Sequence, residues 1–205
     1  MNRVRGGGCL GALVLLAVAA LWAWIGWYPF LARHAPVASE LLVVEGWLGD
    51  DMLLKAAGWA ESNGVKKIVA TGGPIETGSY LAEWKTHAEM TKARMEAMGL
   101  GEKFELEAVP AEKVRRGRTR AAAKALRAAQ GMERSSFNLA SEGPHVRRSW
   151  RTFQDAFGEG VVVGSVALAP TEYGRDDWWS CSEGVRSVVD ETVAYLYDLV
   201  SAPAP

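Results

Sequence analysis

The chain has 205 residues, enough for one domain and an appendage, with 49% hydrophobic residues and a formal charge of −1. Three of its 23 basic residues, Arg3, Arg5 and Arg33, precede Ala35, so the rest carries 20 basic against 24 acidic side chains, a charge of −4, which argues against general nucleic-acid binding. The three histidines and two cysteines, Cys9 and Cys181, lack metal-ligand spacing, and with Cys9 in an apolar run no intramolecular disulfide is expected.

From Gly6 to Phe30 no residue is charged, a run of 25. At about 1.5 Å per residue, roughly 20 apolar residues cross a bilayer. Arg3 and Arg5 before the run, and Trp22, Trp24, Trp27 and Tyr28 at its far end, predict a single-pass anchor with the N-terminus cytoplasmic and everything after Pro29 outside. A cleaved signal peptide competes, because Ala17-Val18-Ala19 resembles a small-residue cleavage site. The anchor is preferred, since the run continues about ten residues past that site. The expected organisation is a stub and anchor over 1–34, a linker over 35–40, an extracytoplasmic domain over 41–200 and a frayed tail over 201–205.

Leu41 to Val44 is a short apolar run that reads as a strand, and Asp50 to Asn63 has helical spacing and is stopped by Gly64. Ile68 to Ala70 is a second strand leading into Thr71-Gly72-Gly73-Pro74, and a helix over roughly Ala82 to Met98 ends at Gly99. Phe104 to Val109 reads as a more exposed strand, Arg118 to Ala129 as an alanine-rich helix, and Ser136 to Leu139 as a fourth strand. Pro144 to Phe157 is a helix with proline in its first turn, Val161 to Leu168 a fifth strand and Glu183 to Leu199 a closing helix. Five strands alternating with five helices predict an α/β, Rossmann-like three-layer fold with a mainly parallel five-stranded sheet. Trp178 and Trp179 are expected to pack around the closing helix or to rest on lipid.

In open α/β sheets ligands bind outside the carboxyl ends of the strands. Thr71-Gly72-Gly73 offers an anion nest if its glycines take positive φ, with a plain turn as the simpler alternative. Arg118-Thr119 puts a fork of donors and a hydroxyl near a helix start, which suits phosphate, unless Thr119 is only an N-cap. Lys113, Arg115, Arg116 and Arg120 read as a solvated basic face. His145 and Arg148, three apart, share one helix face, whereas Arg147 and Arg151, four apart, share another that reads as solvated. Glu45, ending a strand expected to be central, is the carboxylate best placed to oppose His145 as a proton-transfer or orienting pair. Neither G-x-G-x-x-G nor a Walker motif occurs, so no cofactor is named by the sequence, although the fold class also admits a nucleotide or S-adenosylmethionine binder.

Taken as an ordered set, LLVVEGW, TGG, RGRTRAAAKAL and SEGPHVRRS over about Leu41 to Leu199 resemble the SanA/ElyC/YdcF family of bacterial envelope-associated proteins. VVEGW, H-x-R-R-S and the later WW-x-x-S-E-G segment are similar to one subgroup. The resemblance maps Gly46, Gly72, Gly73, Thr119, Ser141, His145 and Arg148 onto the family pattern. It departs at His87, where many relatives carry an acid, and at Ala122, where they carry asparagine. It implies a Rossmann-like fold, single-span anchoring in the bacterial inner membrane and a link to envelope polysaccharide or peptidoglycan metabolism. Joined to the residue-level reading, it leads to the expectation of a phosphate-bearing envelope intermediate, for instance a polyprenyl-linked sugar, held by Gly46, Gly72, Gly73, Arg118, Thr119, Ser141 and Arg148 beside the pair His145 and Glu45. The alternative is a non-catalytic scaffold working with envelope-assembly proteins.

Overall fold

The computed structural model describes residues 6–78, 80–130 and 136–201, with residues 6–10 and 19–23 in backbone only. Arg3 and Arg5, on which the expected topology leans, and the tail from 202 onward lie outside the described residues. In chain order the elements are α1 (Gly6–Leu31), β1 (Leu41–Glu45), α2 (Asp50–Ser62), β2 (Lys67–Gly72), α3 (His87–Ala97), β3 (Glu105–Pro110), α4 (Arg118–Gln130), β4 (Ser136–Glu142), α5 (Val146–Phe157), β5 (Val162–Leu168) and α6 (Ser182–Val200). Single 3-10 turns precede β3, α5 and α6.

All five strands are parallel, in the order β3-β2-β1-β4-β5. Both faces are covered, which is why the central strands read as unbroken apolar runs rather than alternating ones. Leu42, Val44, Ile68, Ala70 and Val166 pack with Met52, Leu53 and Ala56 of α2 and Met95 of α3 on one face. On the other, Leu41, Val43, Val69, Leu139 and Val163 meet Ala123 and Leu126 of α4 and Phe153 and Phe157 of α5. The α/β class and three-layer arrangement are as expected. The chain leaves β1 in one direction for β2 and β3 and returns beyond it for β4 and β5, so the switch point lies between the carboxyl ends of β1 and β4.

The helix expected from Ala82 begins five residues later, at His87. Thr86 accepts from Glu89 N (3.2 Å) while Glu89 accepts from Thr86 N (3.0 Å), a reciprocal capping box. The box fixes the start, and ahead of it Pro74 and Thr86 form a bridge. Thr86→Ala is expected to cost about 1 kcal/mol in urea unfolding.

Among the described residues no helix is long and apolar enough to cross a membrane. The span expected from Gly6 to Phe30 falls in part on residues whose side chains are not described. Of those that are, Leu13, Val14, Leu15, Leu16 and Val18 are exposed, whereas Tyr28 and Leu31 are buried against Tyr173, Trp178 and Val188. Trp27 donates to Thr192 Oγ1 of α6 (2.6 Å), and the Trp24 ring packs tilted against Trp178 at 4.6 Å between centroids.

Arg147 and Arg151 are not a solvated face, contrary to expectation. Arg147 donates through Nε to Phe30 O and lies 3.8 Å over the Phe30 ring, and Arg151 lies 5.5 Å over Tyr195. The end of α1 and α6 cover that side of α5, a tertiary contact that helical spacing alone does not reveal. The expected linker is also held: Ala35 pairs with Ser165, and Val37 exchanges two 2.8 Å bonds with the Asn138 side chain.

Candidate functional site

Glu45 ends β1 at the switch point and is buried, 5% exposed. A carboxylate there needs partners, because burial without them costs several kcal/mol. Ser141, at the end of β4, donates its hydroxyl to Glu45 Oε2, and Ser149 of α5 lies within 3.0 and 3.1 Å of the two carboxylate oxygens. His145 Nε2 stands 3.7 Å from Glu45 Oε2. Burial pushes the Glu45 carboxyl upward, but the His145 charge and the two serine hydroxyls outweigh it and leave it below the ordinary range.

His145 closes the 3-10 turn Gly143–His145 that leads into α5. Its Nδ1 donates to Glu191 Oε1 at 2.5 Å, and its ring meets Trp47 in a T-shaped contact at 4.9 Å between centroids. Burial disfavours the charged ring. The Glu45 charge and the hydrogen bond to Glu191 prevail, pushing the imidazole up to about 9. At neutral pH it is therefore an imidazolium between two carboxylates, a donor rather than a base. Arg148 forks onto Glu191 through Nε and Nη2, both at 2.9 Å, and these hydrogen bonds with that from His145 overcome burial to bring Glu191 down to about 2.

Glu191 is the residue that sequence reasoning missed. It lies on the cleft face of α6, next to the packed Val188 and Tyr195, where an acid beside packed side chains at helical spacing is the signal that would have found it. Ser149, fully buried four residues after His145, was missed too.

His145, Arg148 and Glu191 of this cluster line a cleft of about 1130 Å³ together with Trp47 and Glu142, with Glu45, Ser141 and Ser149 buried and not among the lining residues. One wall carries Arg115, Arg116, Gly117, Arg118, Thr119 and Arg120, the other Ser187, Asp190, Tyr195, Tyr197 and Asp198 of α6. Thr119 is the second residue of α4, not its N-cap. The unpaired N–H groups of that helix start add positive potential to the arginine wall. Arg115 and Arg116 are exposed, as a solvated face requires, and with Arg120 they border the same space as Arg118.

The glycines behave differently from expectation. None of Gly46, Gly72 and Gly73 is among the positive-φ glycines, so the nest geometry is not formed. A Cβ on Gly46 would stand 2.8 Å from His87 C and O, and one on Gly72 2.8 Å from His87 Cβ. These two glycines let α3 sit against the strand ends, and Thr91 donates to Gly46 O at 2.8 Å to fix the contact. Gly73 lines a separate cavity of about 290 Å³ with His87, Lys113 and Arg118. Glu45, Ser141, His145 and Arg148 therefore come together, Arg118 and Thr119 border the cleft that His145 and Arg148 line, and Gly46, Gly72 and Gly73 do not join them. Comparison of the chain with protein-family models, with curated proteins and with solved structures finds no match.

Proposed function

We propose that the chain is a membrane-anchored extracytoplasmic domain of the bacterial inner membrane that binds a phosphate-bearing envelope intermediate, such as a polyprenyl-linked sugar, in the cleft at the strand ends. The observation that carries this reading is the wall of Arg115, Arg116, Arg118 and Arg120 at the start of α4, which lines one open space together with the protonated His145. Planar guanidinium groups beside free helix N–H groups suit a phosphate. Arg148 is committed to Glu191, so the holding role expected of it passes to the wall. The anchor rests on the charge-free run and on the exposed aliphatic side chains of α1.

The imidazolium offers positive charge and a proton to a ligand in the cleft, and Glu45 keeps it charged. A non-catalytic scaffold is the second reading. It is favoured by the way Glu45, His145, Arg148 and Glu191 satisfy one another, which leaves neither carboxylate free to act as a base.

The test is calorimetric titration of the full chain in lipid nanodiscs with inorganic pyrophosphate and with a short-chain polyprenyl phosphate. Each of Arg116→Ala and Arg118→Ala is expected to weaken binding by about tenfold or more, since a charge-assisted hydrogen bond is worth about 1.5–3 kcal/mol. Affinities unchanged in the double variant would sink the binding reading. Retained co-purification with envelope-assembly proteins and no phosphate binding would favour the scaffold.

A further inference from the structure

α6 has three faces. At about 100° per residue, Val188, Thr192 and Tyr195 point toward the end of α1, where Trp27 and Phe30 meet them. Ser187, Asp190, Glu191 and Asp198 point into the cleft. Between these, on the side away from the cleft, Val185, Val189, Val193, Leu196 and Val200 form a stripe about 80° wide, with exposures from 38% to 83%. No charged residue falls within it. Glu183 and Arg186, which pair at 3.0 Å, lie beyond its edge.

By helical spacing the stripe borders the α1-contacting face, Thr192 standing next to its edge. Just ahead of α6, Trp24 lies 4.6 Å from Trp178 and 6.3 Å from Trp179, both pairs tilted, and Trp24 and Trp179 are each about half exposed. On the other side of Trp24 come the exposed Leu13, Val14, Leu15, Leu16 and Val18. Five half-exposed aliphatic side chains make a patch on the order of 400 Å², about half of the ~800 Å² per partner that a stable dimer needs. A bilayer covers a narrow apolar stripe beside an apolar helix without requiring a matched protein surface, and indole rings favour its boundary.

Building on the anchored reading, we infer that α6 is a second membrane contact: its Val185, Val189, Val193, Leu196 and Val200 stripe lies against lipid at the interface beside α1. Trp24 and Trp179 sit at the boundary, and the cleft face of the same helix points to water. The outer domain is thus laid on the bilayer in one orientation rather than suspended from it.

The test uses the full chain with Cys9→Ser and Cys181→Ser, the second keeping an oxygen cap where the thiol now accepts from Gly184 N at 3.4 Å. Nitroxide labels are placed singly through Val189→Cys, Val193→Cys and Ser187→Cys in phosphatidylethanolamine–phosphatidylglycerol vesicles. Oxygen is expected to relax the labels at 189 and 193 more than an aqueous nickel chelate does, with the order reversed at 187. Chelate access at 189 and 193 equal to that at 187, in a chain that floats with the vesicles, overturns the lipid contact and leaves the anchor standing. Low access to both reagents overturns it in favour of a second copy. A chain that does not float with vesicles overturns the anchored reading itself.

Discussion

Glu191→Ala is expected to lower stability by about 3–5 kcal/mol, which for a chain of this size moves the melting midpoint by on the order of 10 °C. Glu191 is the shared acceptor of His145 and Arg148, and its side chain is only 13% exposed. Removing it leaves two cations side by side, Arg148 Nη2 standing 3.0 Å from His145 Nδ1, with Glu45 as the nearest anion. The pH dependence gives an independent signature. His145 titrates near 9 when folded and near 6.5 when not, so its contribution is complete below about 6.5 and is lost as pH rises through about 9. Glu191 runs the other way, from an ordinary 4.5 down to about 2, so its contribution is complete above about 4.5 and is lost as acid is added. Unfolding free energy should therefore be highest between about pH 4.5 and 6.5, judged on these two groups. In Glu191→Ala the alkaline decline should still begin near 6.5 but end at a lower pH and be smaller. Urea denaturation across that range checks both points, and an alkaline limb identical in the two proteins would show that His145 is not held by Glu191.

The second large effect is expected at Gly184, in the first turn of α6. A Cβ built there would stand 2.1 Å from Trp178 O and 2.8 Å from Trp178 C. Both atoms are backbone, so neither can swing aside. Gly184→Ala must lift the start of α6 off the turn Trp178–Ser180, loosening Trp178 against Tyr28, Leu31 and Val188. A loss of about 3 kcal/mol is expected, at the upper end of overpacking effects. A drop in midpoint smaller than that of Thr86→Ala would mean that the contact relaxes without disturbing the helix.

The sheet was legible because parallel strands covered on both faces are written as short apolar runs, and Leu41 to Val44 and Val161 to Leu168 are such runs. Glu45 stood out for the same reason, as an acid closing an otherwise buried strand, and the three-residue spacing of His145 and Arg148 placed them together. The late start of α3 was also within reach, since Thr86 and Glu89 spell a capping box ahead of the helix. Other features depend on contacts that chain order does not carry. Glu191 reaches His145 from an element 46 residues away, Arg147 finds Phe30 only because α1 doubles back onto α5, and Gly46 and Gly72 look like ligand contacts until His87 is seen to occupy the space above them.

The burial of Tyr28 and Leu31 also moves the edge of the folded unit. Composition places the boundary where the charge-free run gives way to the linker, yet the last turns of α1 complete the cluster of Tyr173, Trp178 and Val188. A chain trimmed to begin at residue 35 would keep every strand of the sheet and still uncover that cluster, exchanging a folded edge for an aggregation-prone one. Recombinant forms of the α/β domain should retain the chain from about Trp24, and a cut after Ala19 would leave this seam closed.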